Sequence, residues 1–513
     1  MNYVPAERSD NLNLDIGRQV SVWSSPGADY PEIGPFSPHE DYPERPSSVT
    51  GTTPNPVYDA VRNCLRLTGL DKVNCGTRLW NPLQALIRPG ETVLLKPNFV
   101  KEYHPRDPNG WRYVVTHGSV IRAISDYVWK ALEGKGKVRV ADAPQTDSSF
   151  RALSEVLQLD AIRDFYRGLG LDFDFVDLRK EEWENQGGVI VSRRSLAGDP
   201  EGYVKCDLAD SSEFVDHQGS GRYYGADYDD GEVNRHHSGG RHEYLLSGSA
   251  IKADVVVSIP KLKTHKKAGI TVSLKNLVGI NGDKNWLPHH TEAGKSFRGD
   301  ESPDYGWKHM IERRAVRRLR ALSLSLPGLG PWLHQQARRT GKQVFGDTEE
   351  VIRSGNWWGN DTTWRMCLDL NKILLYGNPD GTLREPVASA RKRHFVLVDG
   401  IIAGQGRGPM NPDPVPAGVI AFGVNPARVD AACACLMGLD ADRIPIVRQA
   451  FKCRHFSIAE WDWRDVRVVS NKSEWNSLLP DIPYHATFHF EPHFGWKGHV
   501  ETKVGQAMAN ACP

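Results

Sequence analysis

Short apolar runs alternate with longer amphipathic segments over most of the chain. The runs with strand-like character are ETVLLKPNFV, KVRVADAP, LDFDFVDL, GGVIVS, ADVVVSIP, RHFVLVDG and AGVIAFGV. Segments with helical spacing of apolar residues lie between several of them, for example NPVYDAVRNCLRLTGL and GSVIRAISDYVWKALE. This alternation predicts an α/β protein with a largely parallel sheet, helices on both faces of the sheet, and polar insertions.

Composition along the chain suggests three parts. Residues 1–53 are rich in Pro, Ser, Asp and Glu, which predicts an extended N-terminal arm outside the core. Residues 54–445 are expected to form the α/β core, with polar insertions at 196–247 and 295–365. Residues 446–513 then form a C-terminal extension.

Charge and cysteine usage narrow the class of protein. The 64 Lys and Arg residues nearly balance the 63 Asp and Glu residues, so the overall field gives no reason to expect a nucleic-acid partner. The eight cysteines are scattered and none forms a C-x-x-C pair, which is typical of reduced thiols in the cytoplasm and predicts no iron–sulfur cluster. We also expect no secretory signal and no membrane span.

Ionisable residues follow several of the predicted strands. In parallel sheets ligands bind beyond the carboxyl ends of the strands, so these positions are candidates for a site. Burying an unpaired ion costs several kcal/mol, so such charges must meet water, a ligand or one another. We therefore predict that five ionisable groups surround one cleft at the sheet edge: Lys96, Asp142, Lys261, Lys263 and Asp399.

The segment PKLKTHKKAGITVSLKNLVGIN, residues 260–281, is the most concentrated source of positive charge. It directly follows the apolar run ADVVVSI, so several of its lysines are expected to line a cleft for an anionic ligand. The stretch AGITVSLKNLVG is interpreted as a helix whose N-terminal N–H groups point at the same anion.

Candidate roles follow from these positions. The catalytic candidates are Asp142, His265, Asp399, His289 and His290. The candidates for substrate binding are Lys96, Asn98, Lys261, Lys263, Lys275, Asn276 and Lys284. The paired histidines could transfer protons, form hydrogen bonds or bind a metal, and no metal ligand is assigned.

A basic amphipathic segment covers residues 309–333 within HMIERRAVRRLRALSLSLPGLGPWL. The favoured interpretation is a surface helix with a solvated arginine face. The alternative is a peripheral contact with an anionic membrane surface.

Several of these motifs, in their order along the chain, resemble one known family. VLLKPNFV, VADAP, the lysine-rich segment and LVDGIIAGQGRGP are similar to the family called domain of unknown function 362, over roughly residues 90–445. The resemblance implies no assigned activity. Some members carry ferredoxin-like cysteine clusters, and this chain departs from them because it has no C-x-x-C.

The favoured hypothesis is an enzyme that acts on a small metabolite bearing phosphate or carboxylate, with the lysines holding the anion. One alternative is a non-catalytic protein that binds an anionic, glycan-linked or lipid-linked ligand. Another is a metal-dependent redox protein. The reaction type, any cofactor and the oligomeric state are left open.

Overall fold

The computed structural model describes residues 17–186, 189–225, 230–303, 351–453 and 455–511. The segment 309–333, for which a membrane contact was one interpretation, lies outside these residues. Within them, no helix combines the length and hydrophobicity that crossing a bilayer requires.

Eleven strands build the main sheet. Eight follow one another in the order β17-β1-β16-β14-β10-β2-β3-β4, while β11, β12 and β15 pair at its side. The main-sheet strands are β1 Gln19–Ser24, β2 Thr92–Pro97, β3 Lys137–Asp142, β4 Phe173–Asp177, β10 Val255–Ile259, β11 Lys261–His265, β12 Gly269–Thr271, β14 Arg393–Gln405, β15 Asp413–Val415, β16 Val419–Gly423 and β17 Arg467–Ser470. The shorter two-stranded sheets use β5 Glu181–Gln186, β6 Val189–Ser195, β7 Tyr203–Asp207, β8 Tyr223–Tyr224, β9 Glu243–Ser247 and β13 His290–Thr291.

Five neighbouring strands, β14, β10, β2, β3 and β4, run parallel to one another. Strand β16 is antiparallel to both of its neighbours, β14 and β1. The described helices are α1 Pro56–Leu67, α2 Trp111–Val114, α3 Gly118–Leu132, α4 Phe150–Leu157, α5 Leu159–Gly168, α6 Asp230–His236, α7 Gly248–Lys252, α8 Ser273–Asn276, α9 Thr363–Tyr376, α10 Pro426–Leu436, α11 Pro445–Ala450 and α12 Lys503–Ala511.

The sheet is covered on both faces because its central strands are apolar on both. In β10, Val255 and Val257 join the apolar cluster that contains α1 and α3. Val256, which points the other way, joins the cluster that contains α9 and α10. The mixed, mostly parallel α/β fold expected from the sequence is confirmed.

The N-terminal arm is the first correction. Gln19–Ser24 is not outside the core, because it forms β1 between β16 and β17. Val20 and Val22 are fully buried against one face of the sheet. A single short alternation, QVSVWS, was enough to form a strand although the surrounding residues are polar. The C-terminal extension likewise supplies β17 to the sheet.

The lysine-rich segment is the second correction. Residues 261–265, which were expected to line a cleft beyond a strand end, form the strand β11, which pairs in parallel with β14 so that Lys261 lies opposite Asp399. Asp399 therefore lies inside β14 rather than after it. The predicted helix is shortened to the four residues of α8, because β12 takes the first part of that stretch and a 3₁₀ turn, Leu277–Ile280, takes the last.

Candidate functional site

Lys96 and Asp142 form a buried ion pair between the adjacent strands β2 and β3. Their Nζ and Oδ1 atoms are 2.8 Å apart, and the side chains are 0% and 3% exposed. Lys96 also donates to the carbonyl of Pro97 at 2.7 Å, while Asp142 accepts from the backbone N–H of Phe99 at 2.7 Å. Burial lowers the pKa of Lys96, and Asp142 opposes that shift. The pair is thus neutralised within the protein.

Lys261 and Asp399 form a second buried pair, with Nζ and Oδ2 3.0 Å apart and both side chains inaccessible. Tyr30 donates its hydroxyl proton to Asp399 at 2.6 Å and accepts from Lys261 at 2.6 Å. The backbone N–H of His117 also donates to Asp399, at 2.9 Å. Burial, followed by the charge of Asp399, raises the pKa of Tyr30 well above its usual range, so its hydroxyl stays protonated.

In each pair the lysine and the carboxylate face one another inside the protein rather than an open cleft. The opposite signs within each pair make the burial of these four groups tolerable. Tyr30 completes the second pair and was not predicted, because a lone tyrosine in GADYPEIG gives no periodic or motif signal.

Lys263 interacts electrostatically with one member of each pair, Lys261 and Asp142, and forms no ion pair with a carboxylate among the described residues. Its ammonium donates to the backbone carbonyl of Val114, and its side chain is fully buried. Burial lowers its pKa well below the usual range, and the charges of Lys261 and Lys275 lower it further. The side chain of Lys263 therefore lies in the protein interior rather than on a surface that a ligand could reach.

The side chains of a second basic group form no ion pair with any carboxylate among the described residues. We define the cationic cluster as His265, Lys267, Lys275 and His289. Lys267, Lys275 and His289 are part-buried, so solvent reaches the group. The ammonium group of Lys275 forms no hydrogen bond or ion pair with any residue that the structure describes, and burial lowers its pKa. After burial itself, the charge of Lys275 is among the causes that lower the pKa values of Lys263, His265, Lys267 and His289.

Hydrogen bonds fix the tautomers of two histidines in this cluster. The Nδ1 atom of His265 accepts from the backbone N–H groups of Lys267 and Ala268, at 3.0 and 3.1 Å. In the neutral ring the proton is therefore on Nε2. The Nδ1 of His289 is 3.0 Å from the carbonyl of Leu287, so that nitrogen is the donor and Nε2 has the free lone pair.

Burial lowers the pKa of both rings well below the usual range of histidine, with nearby lysines adding to the effect. Both imidazoles are neutral at pH 7 as a result. Of the two histidines, His265 can therefore donate a hydrogen bond through Nε2–H, and His289 can accept a proton at Nε2.

The remaining predicted residues surround these groups in different ways. Lys284 donates to the carbonyls of Ala143 and Val278, at 2.9 and 3.2 Å. His290 stacks on Tyr224 with ring centroids 4.9 Å apart, and its Nδ1 is 3.4 Å from the Nζ of Lys267.

Asn98 and Asn276 belong to the buried pair rather than to the cluster. Both Lys96 and Asn98 donate to the side-chain oxygen of Asn276, at 3.2 and 3.3 Å. Asn276 in turn donates to the backbone carbonyl of Lys96 at 2.9 Å.

The helix N-terminus predicted to bind the ligand is occupied by the chain itself. The N–H groups of Ser273 and Leu274 donate to the buried carboxylate of Asp430, at 2.8 and 3.2 Å. Burial raises the pKa of Asp430 well above its usual range, and these two hydrogen bonds oppose that shift. Helix α8 is only four residues long, so it adds nothing to an anion site.

Metal binding has no support in the described part of the chain. Within it, no three His, Cys, Asp or Glu side chains come together in a way that could hold an ion.

Comparison with known proteins finds partial similarity that includes the cationic cluster. The chain is 28% identical over 209 residues to a thylakoid-associated protein of Synechocystis sp., which corresponds to 41% of this chain and 45% of that protein. The match therefore spans less than half of the relative's length. The match to a crystal structure of a Thermotoga maritima protein covers 69% of this chain and 53% of that protein, at 10% identity and a TM-score of 0.27.

Residues 217–435 match the family described as Domain of unknown function (DUF362). This range includes all four residues of the cationic cluster and Asp399, whereas Lys96 and Asp142 precede it. The resemblance expected over roughly residues 90–445 is confirmed for this shorter range. The similarity of this chain to the DUF362 family therefore covers residues 217–435.

Proposed function

We propose that the protein is an enzyme that binds a small metabolite bearing phosphate or carboxylate at the cationic cluster and transfers a proton to or from it. One observation carries this proposal: the ammonium group of Lys275 is part-buried and has no partner among the described residues. The lysines of the two ion pairs, by contrast, each contact a carboxylate.

A bound anion would remove the energetic cost of burying the Lys275 ammonium group without a counter-charge. A part-buried ammonium without a counter-charge is destabilising, and neighbouring cations add repulsion. The charge of Lys275 acts on both His265 and His289, and that of Lys267 acts on His289, so an anion near them would interact favourably with both lysines at once. Charged hydrogen bonds of this kind contribute about 1.5 to 3 kcal/mol each.

The two histidines supply the proposed proton transfer. The free Nε2 of His289 is a base, and the Nε2–H of His265 can donate a hydrogen bond to a developing negative charge. Asp142 and Asp399 are not used as acids or bases here, because both are buried in ion pairs. Binding of anions without turnover of any metabolite would favour the non-catalytic alternative.

Replacing Lys275 by methionine tests the anion site. We expect sulfate affinity, measured by titration calorimetry, to fall by about 10- to 100-fold, because one charged hydrogen bond is lost. Without sulfate the variant should be as stable as the parent or more so, since a part-buried ammonium has been removed.

The exposed residue Lys135 provides the matched control, and Lys135→Met should bind sulfate like the parent. Because sulfate also stabilises proteins in general, the decisive quantity is the difference between the variants rather than the rise in melting temperature of the parent. Equal sulfate affinity in Lys275→Met and the parent would exclude the proposed site.

Sulfate binding should also depend on pH. Burial, followed by the charge of Lys266, lowers the pKa of Lys267 to about 7. The cluster therefore loses charge as the pH rises through 7, and sulfate affinity should fall between about pH 6 and pH 9.

Without anion, the stability of the fold changes in the opposite direction. The unfolded chain keeps the Lys267 proton up to a higher pH than the folded one, so the free energy of unfolding rises with pH in this window. Lys267→Arg, which stays charged, should flatten the pH dependence of sulfate binding. An unchanged pH profile in that variant would show that Lys267 is not responsible.

A cytoplasmic location stays a prediction. It is supported by the free thiols of the seven cysteines that the structure describes.

A further inference from the structure

The surroundings of Lys267 differ from those of the lysines described above. It lies in the tight connection between β11 and β12, where His265 accepts its backbone N–H at 3.0 Å and so fixes the turn. Its side chain is part-buried, and its Nζ is 3.4 Å from Nδ1 of His290. That imidazole is itself held by stacking on Tyr224.

Apart from Lys275, the other lysines of this region donate to groups of the protein itself. Lys96 and Lys261 are in ion pairs with carboxylates, and Lys263 is fully buried and donates to a backbone carbonyl. Lys284 donates to two carbonyls. Lys275 has no such partner, but it lacks the contact with an imidazole that Lys267 has.

Charges of both signs act on the amine of Lys267. The positive charges of Lys266 and Lys275 oppose protonation, whereas the carboxylates of Asp300 and Glu301 oppose deprotonation. Asp300 forms no ion pair with Lys267. It accepts instead from the backbone N–H groups of Thr291, Asp361 and Thr362 and from the Thr362 hydroxyl.

Burial has a larger effect on the pKa of Lys267 than any of these charges. Together with the charge of Lys266, burial lowers the pKa of Lys267 to about 7. At neutral pH it therefore presents roughly a thousandfold more free amine than an exposed lysine does. A desolvated lysine beside other cations is the usual setting of an amine nucleophile.

We propose that Lys267 forms a Schiff base with a small carbonyl compound that carries a carboxylate or phosphate, the class to which 2-oxo acids belong. The anionic group would be held by Lys275, so this proposal rests on the anion site proposed above.

The step needs no other reactant. The amine nitrogen of Lys267 attacks the carbonyl carbon, a carbon–nitrogen bond forms, and the carbonyl oxygen becomes the hydroxyl of a carbinolamine. Loss of that hydroxyl as water gives the iminium, with no change of oxidation state. His290, next to the amine, is placed to take the ammonium proton before the attack and to return it to the departing oxygen.

Trapping with cyanoborohydride tests the proposal. The full-length protein is incubated with pyruvate and sodium cyanoborohydride at neutral pH, and the modified peptides are identified by mass spectrometry. We expect a reduced pyruvyl adduct on Lys267 at an occupancy at least about tenfold above that on the exposed residue Lys135, since far more of Lys267 is free amine.

Two variants and two probes sharpen the result. Lys267→Arg keeps the charge but cannot form a Schiff base, so the adduct at this position should disappear without labelling of Lys275. Lys275→Met should lower pyruvate labelling about tenfold or more through loss of one charged hydrogen bond. Acetone, which has no anionic group, should label poorly, and sulfate should compete with pyruvate in the parent protein without any substitution.

The outcomes separate this proposal from the one on which it rests. Sulfate binding without an adduct on Lys267 would overturn the Schiff base and leave the anion site intact. Loss of both would overturn both. Labelling spread evenly over exposed lysines, or centred on Lys275, would also overturn the assignment of Lys267.

Discussion

Lys261→Met is expected to lower the free energy of unfolding by about 3 to 5 kcal/mol, because it leaves the buried carboxylate of Asp399 without its counter-charge. Methionine keeps most of the apolar length of lysine, so the loss measures charge more than volume. Asp399 would retain only the hydroxyl of Tyr30 and backbone N–H groups as partners. Urea unfolding at pH 7, followed by circular dichroism, measures the change.

The double variant Lys261→Met, Asp399→Asn identifies the cause. If the stranded charge is what destabilises the single variant, neutralising Asp399 should restore part of the lost stability, so the two effects should not add. Lys135→Met, at an exposed position, should change stability by no more than about 0.5 kcal/mol. A Lys261→Met protein as stable as the parent would mean that this pair does not hold the fold together.

Lys261 and Lys275 show that lysines of the lysine-rich segment have different surroundings. Both lysines belong to it, but Lys261 contacts a carboxylate in the neighbouring strand and Lys275 contacts none among the described residues. Removing the charge of Lys261 should therefore cost stability, and removing that of Lys275 should cost anion binding. One stretch of sequence combines structural and candidate ligand-binding lysines.

Much of the fold could be predicted from the sequence because its central strands are apolar on both faces. A run such as VVVSI has one stable placement, inside a sheet covered by helices on both sides, and β10 occupies it. The amphipathic helix α1 could be recognised for a similar reason, since one side of it buries apolar residues at helical spacing. Helix α3 was also expected to be amphipathic, but all of its residues except Lys130 are buried.

Strand β11 could not be predicted, because its sequence KLKTH breaks the rule that buried strands are apolar. All five of its residues are buried all the same, since Asp399 neutralises Lys261 and backbone groups satisfy others. Only the three-dimensional pairing reveals those partners, and local sequence does not contain them. The same holds for Tyr30, which reaches Asp399 across 369 positions of sequence.

The cationic cluster overlaps in part with the candidates named from the sequence. His265, Lys275 and His289 were among the candidates, whereas Lys267 was not. The sequence shows KTHKK but not which of its lysines lose their solvent, and that depends on how β11 turns into β12. Tautomers are also beyond sequence, because they depend on which backbone groups reach each ring nitrogen.

Gly279→Ala should be strongly destabilising although the glycine has no unusual backbone conformation. A Cβ at this position would lie 1.8 Å from Oδ1 of Asp142 and 2.7 Å from Nζ of Lys96. The methyl group could be accommodated only if the buried pair separates or the turn moves. The turn is itself tied to the sheet, since the carbonyl of Gly279 accepts from the N–H of Ala143 at 2.8 Å.

We therefore expect Gly279→Ala to lose at least about 3 kcal/mol of unfolding free energy, from overpacking combined with disruption of an ion pair. Gly168→Ala is the matched control, because that glycine is the last residue of α5 and a Cβ there meets nothing within 4 Å. It should be neutral or slightly stabilising, since alanine is the better helix former. If Gly279→Ala unfolds at the same urea concentration as Gly168→Ala, the close packing of this turn against the Lys96 and Asp142 pair is not what fixes the sheet edge.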